Sequence, residues 1–405
     1  MIAKIAWLNI WRSRTRSLVV ISSIIIGIWS LVFLLAFMNG QVNNYISSII
    51  ENETSHIQIH TPQFKEDFEV DQLIPNADQL VAELGKSADI HAATGRILLN
   101  GMLSSSAAAR GVMVKGIDLR LEQPVSHLQE KIISGQPIGS GRKNEIMLSQ
   151  RMAEKLKVKL RSKVVLTFQN ISSDITTAAF RVVGIYKTTS KRNDELYAFA
   201  DIADLQRLAE MPQGSAHQIA LLVNDFDATD TLAAEISNQH QLLKVETYKE
   251  ISPDLELFNS QIKLNMIIMT TIFMLALIFG IINTMLMAVL ERMKELGMLM
   301  AVGMNKLRVF FMVVLETLLI ALIGAPIGML LGYLTTQYLN ETGIDLSTWS
   351  EALEEFGMAN IIRPFVTADT FFIISIAVVI TAVLASIYPA FKAIRLKPVQ
   401  ALRKI

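Results

Sequence analysis

ERMKELGMLMAVGMNKLRVFFMVVLE, residues 291–316, is a charged segment wedged between two long apolar runs, and it carries no side-chain set able to do chemistry by itself. Upstream lies the apolar run 266–290 and downstream the run 309–333; two more, 18–38 and 370–388, stand nearer the ends of the chain. Each is close to the ~20 residues that cross a hydrocarbon layer of ~30 Å at 1.5 Å per residue. The pattern predicts four membrane helices.

The chain has 405 residues, 51% hydrophobic and 18% charged, an apolar balance that soluble domains rarely reach. The first run outlasts the ~7–15 apolar residues of a secretory signal and no small-x-small site follows it, so it is expected to be retained. Cysteine is absent, which excludes disulfides, thiolate metal sites and cysteine nucleophiles. A net charge of zero supplies no drive towards nucleic acid, so the positions of the charges carry the information.

Lys4, Arg12, Arg14 and Arg16 precede the first run; Arg292, Lys294, Lys306 and Arg308 lie between the second and third; Lys392, Arg395, Lys397, Arg403 and Lys404 follow the fourth. Between the third and fourth stands only Arg363, among Glu341, Asp345, Glu351, Glu354 and Glu355. Basic residues are retained inside, so both termini and the 291–308 loop are expected in the cytoplasm.

The predicted order is an interfacial helix 1–17 carrying Trp7 and Trp11, a span 18–40, an outer domain 41–263 and a span 264–290. A cytoplasmic segment 291–308, a span 309–335, an acidic outer loop 336–368 with a short helix near 349–356, a span 369–389 and a tail 390–405 complete it. The outer domain reads as mixed α+β: HIQIH (56–60), GVMVKGI (111–117), KVVLTF (163–168) and FRVVGIY (180–186) alternate as strands, and 149–157 and 201–209 have helical spacing. A second lobe is expected over 98–215. The fold class is an α-helical membrane protein of four spans with a large α+β domain inserted between the first and second.

Chemistry is sparse. Gly85-Lys86-Ser87 resembles the end of a P-loop, but Leu80 occupies the position of its first glycine. Gly135, Gly139 and Gly141 mark a turn. His56 and His60 stand four apart on a strand, about 13 Å, too far to share one metal, and are expected as a satisfied surface pair. No nucleophile elbow or zincin motif occurs, so the chain reads as non-catalytic. Glu316 lies about two turns into the third span, where it would be a proton carrier or, as its closeness to the interface favours, the partner of a basic or polar group. Met266, Met269, Met274, Met285 and Met287 suit an adaptable apolar cavity or lipid-facing filler. Gly324, Gly328 and Gly332, with Pro326 among them, form a small-residue ladder for close helix packing, within this chain or with a partner.

In the opening stretch Met293, Leu296, Leu299 and Met300 share one helical face, Glu291, Lys294, Glu295 and Met298 another, and Gly303 before Asn305 is placed to end the helix. Such a helix lies on lipid or docks into a partner's groove.

That stretch, with the ending YPAFKAIRLKPVQALR (388–403), closely resembles the FtsX/MacB superfamily of ABC transporter permeases, which have one span, a large outer domain and three further spans. The resemblance implies that Glu291, Arg292, Met293, Lys294, Glu295, Leu296, Gly297, Met300 and Gly303 couple to a separate ATPase subunit, with Met293, Leu296 and Met300 as the gripped face. LLAFMNG (34–40), GVMVKGID (111–118), NEIMLSQRMAEKLKV (144–158) and FRVVGIY are similar to the lipoprotein-releasing (Lol-type) permeases. That similarity implies a bacterial inner-membrane protein with a periplasmic outer domain, a second permease copy or paralogue, a lipoprotein or other amphipathic cargo, lipid and a periplasmic carrier as partners, and no nucleic acid. No cofactor is expected in this chain; ATP and Mg would be held by the ATPase. A cavity open to the outer leaflet would be lined by Phe33, Phe37, Met38, Tyr45, Met266, Met269 and Phe273. The connection QNISSDITTAA (169–179) lacks the proline-containing hook with which one Lol-type permease captures the carrier, which argues against capture here. The rival expectations are a MacB-like efflux permease, which would carry a fused N-terminal ATPase, and an FtsX-like regulator of periplasmic hydrolases, usually with a smaller outer domain.

Overall fold

The computed structural model describes residues 2–12 and 14–395; the end of the C-terminal motif, 396–405, with Lys397, Arg403 and Lys404, lies outside the described residues. After a short helix α1 (Ile2–Arg12), the apolar runs grow into long helices: α2 (Arg14–Ile49), α3 (Pro253–Glu291), α5 (Lys306–Thr342) and α7 (Ala368–Ile394). Between them stand α4 (Met293–Ala301) and α6 (Ser350–Glu355). Local chemistry sets the ends. Proline opens α3 with Asp254 and Glu256 in its first turn, and the Asn305 side chain accepts from the Leu307 amide at the start of α5.

The chain divides into two compact units, one of Met1–Val42, Asn259–Asp345 and Ile361–Ile405, the other of Asn43–Phe258 and Leu346–Asn360. Two expected boundaries therefore move. The helices overrun their apolar runs because polar stretches such as 41–49 stay helical without being hydrophobic. Within the predicted 336–368 loop, Leu346–Asn360 belongs to the outer unit. There Glu354 pairs with Arg151 at 3.1 Å and Lys187 at 2.8 Å, and the Ala359 amide donates to the Asn44 side chain at 2.8 Å.

In the membrane unit the glycine ladder packs within the chain. A Cβ at Gly324 would stand 3.0 Å from Ile24, one at Gly328 2.8 Å from the Ile25 carbonyl oxygen, and one at Gly332 2.6 Å from Val32. Ile24, Ile28 and Val32, at four-residue spacing on α2, fill the groove the glycines leave, and all three are buried.

The outer unit is a ten-stranded sheet: β1 (Ile57–His60), β2 (Ile90–Ser104), β3 (Ala109–Ile117), β4 (Ile132–Gly135), β5 (Glu145–Ser149), β6 (Lys163–Gln169), β7 (Ile175–Tyr186), β8 (Tyr197–Asp201), β9 (Gln218–Val223) and β10 (Lys244–Thr247). Its order is β10-β1-β9-β2-β3-β8-β5-β7-β4, and β6 pairs with both β2 and β7. The pairings β2-β3-β8-β5-β7-β6-β2 thus close into a ring of six strands, filled by Ile97, Leu99, Val114, Ile146, Leu166 and Phe180 among others. Closure leaves these strands no free edge. A second core, around Ile57, Ile59, Val81, Ile219 and Leu221, lies beside β1 and β9.

Candidate coupling site

The segment 291–303 is a break and a short helix. α3 stops at Glu291, Arg292 leaves helical geometry (φ −91°, ψ 14°), and α4 runs from Met293 until Gly303 turns the chain at φ +103°. A positive φ of that size favours glycine.

α4 is tied to its own unit. Leu296 is buried in the membrane-unit core, with Leu299 and Met300 packed against it. The Arg12 guanidinium of α1 meets the Glu295 carboxylate at 2.6 Å across an exposed contact. Arg292, at the break, reaches Glu316 on α5 at 3.0 Å, and this pair is largely buried. A buried ion pair is costly to break from one side, because the remaining charge is left uncompensated. Glu316 thus stands opposite a basic group.

Of the face expected to be gripped, Leu296 is buried in the membrane-unit core, Met300 packs against it and Met293 is half-buried. The apolar side expected to be gripped holds α4 to the membrane unit, Leu296 and Met300 both packed there, because an apolar stripe beside two apolar spans is buried by its own chain first. The face left open carries Glu291, Lys294, Met298 and Val302, the last two 55% and 85% exposed. Sequence periodicity separates two faces but does not say which faces home. Between the end of α3, α4 and the start of α5 lies a cleft of about 550 Å³, lined by Met285, Val289, Leu299 and Met312, with Arg12 and Arg292 at its polar side.

The expected cavity residues do not share one unit. Met38 is buried, Phe33, Phe37, Met266 and Phe273 are half-buried and Met269 is exposed, all in the membrane unit. Tyr45 belongs to the outer unit, its ring 4.4 Å from that of Phe258.

Several ionisable groups of the outer unit are buried and held by neighbours within it. His60 is not on the surface: β1 lies between β9 and β10, and its ring sits buried, 3.0 Å from Glu246. Hydrogen bonds from His60 and from Lys244 and Lys65 hold the Glu246 carboxyl far below the usual range. His217, stacked on Phe64 with ring centroids 4.8 Å apart, accepts from the Leu98 amide and is pushed down to about 4, chiefly by burial. Buried Lys115 is lowered to about 7, by desolvation first and nearby Arg96 second. Among the described residues no three His, Cys, Asp or Glu are grouped to hold a metal ion.

Four long apolar helices, a short amphipathic helix fixed at the junction of two of them and a large α+β unit are the features of a multi-pass membrane protein. The chain belongs to the FtsX/MacB type of ABC transporter permease: residues 17–239 match the MacB-like periplasmic core domain and 267–398 the FtsX-like permease C-terminal family.

The macrolide export ATP-binding/permease protein MacB of Campylobacter jejuni is 23% identical over 84% of this chain and 54% of its own length. The ABC transporter permease YtrF of Bacillus subtilis is 26% identical over 56% of this chain and 53% of its own. The uncharacterised ABC transporter permease protein Rv0987 of Mycobacterium tuberculosis is 26% identical over 65% of this chain and 30% of its own. The chain thus spans about half or less of each of these relatives. The solved periplasmic region of MacB from Actinobacillus actinomycetemcomitans aligns with 51% of this chain and 95% of its own, at 14% identity and a TM-score of 0.37.

Proposed function

We propose that this chain is the non-catalytic membrane subunit of an ABC complex in the bacterial inner membrane, with α4 and both termini in the cytoplasm. A separate ATPase, holding ATP and Mg, grips the open face of α4, and the movement drives release of an amphipathic cargo, a lipoprotein, through the outer unit. The reading rests on one observation above the rest: the segment 291–303 is fastened to its own unit by Leu296 and by the ion pairs of Glu295 and Arg292, while Lys294, Met298 and Val302 stay open. A helix held firmly on one side and bare on the other suits a groove in a partner.

The combined change Lys294→Glu and Met298→Asp alters only that open face. It should abolish co-purification with the ATPase while the chain elutes as before; a stable complex with both changes present would overturn the docking assignment.

Lipoprotein as cargo is supported by the Lol-type runs 34–40, 111–118, 144–158 and 180–186. A second reading, export of a small amphipathic molecule, is favoured by the match to the macrolide exporter over 84% of this chain. A photo-reactive group at Met38 or Met269 should give an adduct with a lipoprotein only when it is acylated. Absence of a lipid-dependent adduct at both positions would remove the lipoprotein reading and leave export, or a regulator that moves no cargo.

A further inference from the structure

The outward face of α7 changes chemistry along its length. Ile376, Ile380, Leu384 and Ile387 follow each other at spacings of four, four and three, and all are exposed. Together they cover about 16 Å of helix, close to half of a ~30 Å hydrocarbon layer. The next turns on the same side bring Tyr388 and Phe391, then Lys392 and Arg395, again all exposed. The opposite face, through Ile374, Val378, Ala382, Ala385 and Ala390, is buried in the membrane-unit core.

The end of the outward face is hollow and positive. Ile387, Tyr388, Phe391, Lys392 and Arg395 line a cavity of about 460 Å³. The Arg395 guanidinium lies over the Phe391 ring, 5.4 Å from its centre, which holds it against its own helix. Phe391 in turn meets Phe310 of α5 edge-on, ring centroids 6.4 Å apart. Arg308, exposed and two residues before Phe310, therefore stands at the same end of the helix pair. Among the described residues Arg308, Lys392 and Arg395 meet no carboxylate, whereas Arg12 and Arg292 at the α4 joint both do.

We propose that this face of α7 is a site for one anionic phospholipid. An acyl chain lies along Ile376 to Ile387, the glycerol region beside Tyr388 and Phe391, and the phosphate at Lys392 and Arg395. A zwitterionic lipid brings an ammonium of its own towards the two bases; a phosphatidylglycerol brings the negative charge alone. Aromatic rings at headgroup level with basic side chains just beyond them follow the order in which such a lipid changes from chain to phosphate. The site is on α7, apart from α4, and requires only that α7 crosses a bilayer, as a helix of its length and composition can.

The chain contains no cysteine, so a single introduced thiol can be labelled. A bimane on Leu384→Cys reports on the proposed path of the acyl chain, and one on Leu322→Cys, exposed on α5, reports on lipid elsewhere. The full-length chain is placed in phosphatidylcholine vesicles doped with chain-brominated phosphatidylglycerol or chain-brominated phosphatidylcholine. The Leu384 label should be quenched at a mole fraction of phosphatidylglycerol about twentyfold lower than of phosphatidylcholine, from about fivefold for each of the two bases. The Leu322 label should not distinguish the lipids. Lys392→Gln with Arg395→Gln should abolish the preference, and the exchange Lys392→Arg with Arg395→Lys, which keeps the charge, should retain it. Equal quenching by the two lipids at Leu384, the same preference at Leu322, or a preference that survives removal of both charges would each overturn the proposal; the last, with co-purification of the ATPase lost, would give the face to that protein instead.

Discussion

Lys115 is 5% exposed, with its ammonium 3.7 Å from the centre of the Tyr197 ring and the buried Arg96–Glu122 pair, 2.7 Å apart, close by. Glu53, Glu122 and Lys131 also act on it, but removal from water dominates and lowers its pKa from 10.5 to about 7. The folded value lies below the unfolded one, so between those two the unfolded chain binds the extra proton. Outer-unit stability therefore rises with pH through that window and is lost as pH falls towards about 7. Lys115→Met removes the dependence. It should stabilise the outer unit by about 1–4 kcal/mol at pH 7, the range for replacing buried charge with apolar volume, and by less at pH 10. Urea denaturation followed by hydrogen exchange in β3 and β8 measures both, and a loss of stability at pH 7 would contradict this account.

At the level of elements, the joint between α3, α4 and α5 depends on Arg292 and Glu316. Glu316→Ala should cost about 3–5 kcal/mol, as removal of one partner of a buried pair does. The exchange Arg292→Glu with Glu316→Arg should recover much of the loss in thermal unfolding. Glu316 was conspicuous in the sequence because an acid two turns inside an apolar run is rare. Its partner was not, since the pairing spans 24 residues and a helix break whose geometry no local pattern encodes. The glycine ladder shows the same limit: spacing announced close packing, while the choice of α2 came from Ile24, Ile28 and Val32, some 300 residues away. Hydrophobic length located the four spans because the bilayer makes it the deciding property. It missed the polar helix ends, where backbone hydrogen bonding continues without it.

For the whole molecule, two units with separate cores are expected to lose structure separately. Leu346–Asn360 gives a specific test, because it is connected at both ends to membrane helices yet belongs to the outer unit through Glu354 and Asn44. In hydrogen exchange under rising denaturant it should lose protection together with β5 and β7, while α5 and α7 stay protected. Exchange in step with α5 and α7 would show that the ion pairs do not carry the segment. The six-strand ring has a different consequence. The chain enters it along β2 and returns along β9, and these two strands are already paired outside it, Arg96 opposite Gln218. Because entrance and exit are neighbours, the ring can be enlarged, exchanged for another or deleted in evolution without re-threading the sheet that remains. It is a cassette: the strands between β2 and β9 can change in number or sequence while the pairing of β10, β1 and β9 stays as it is.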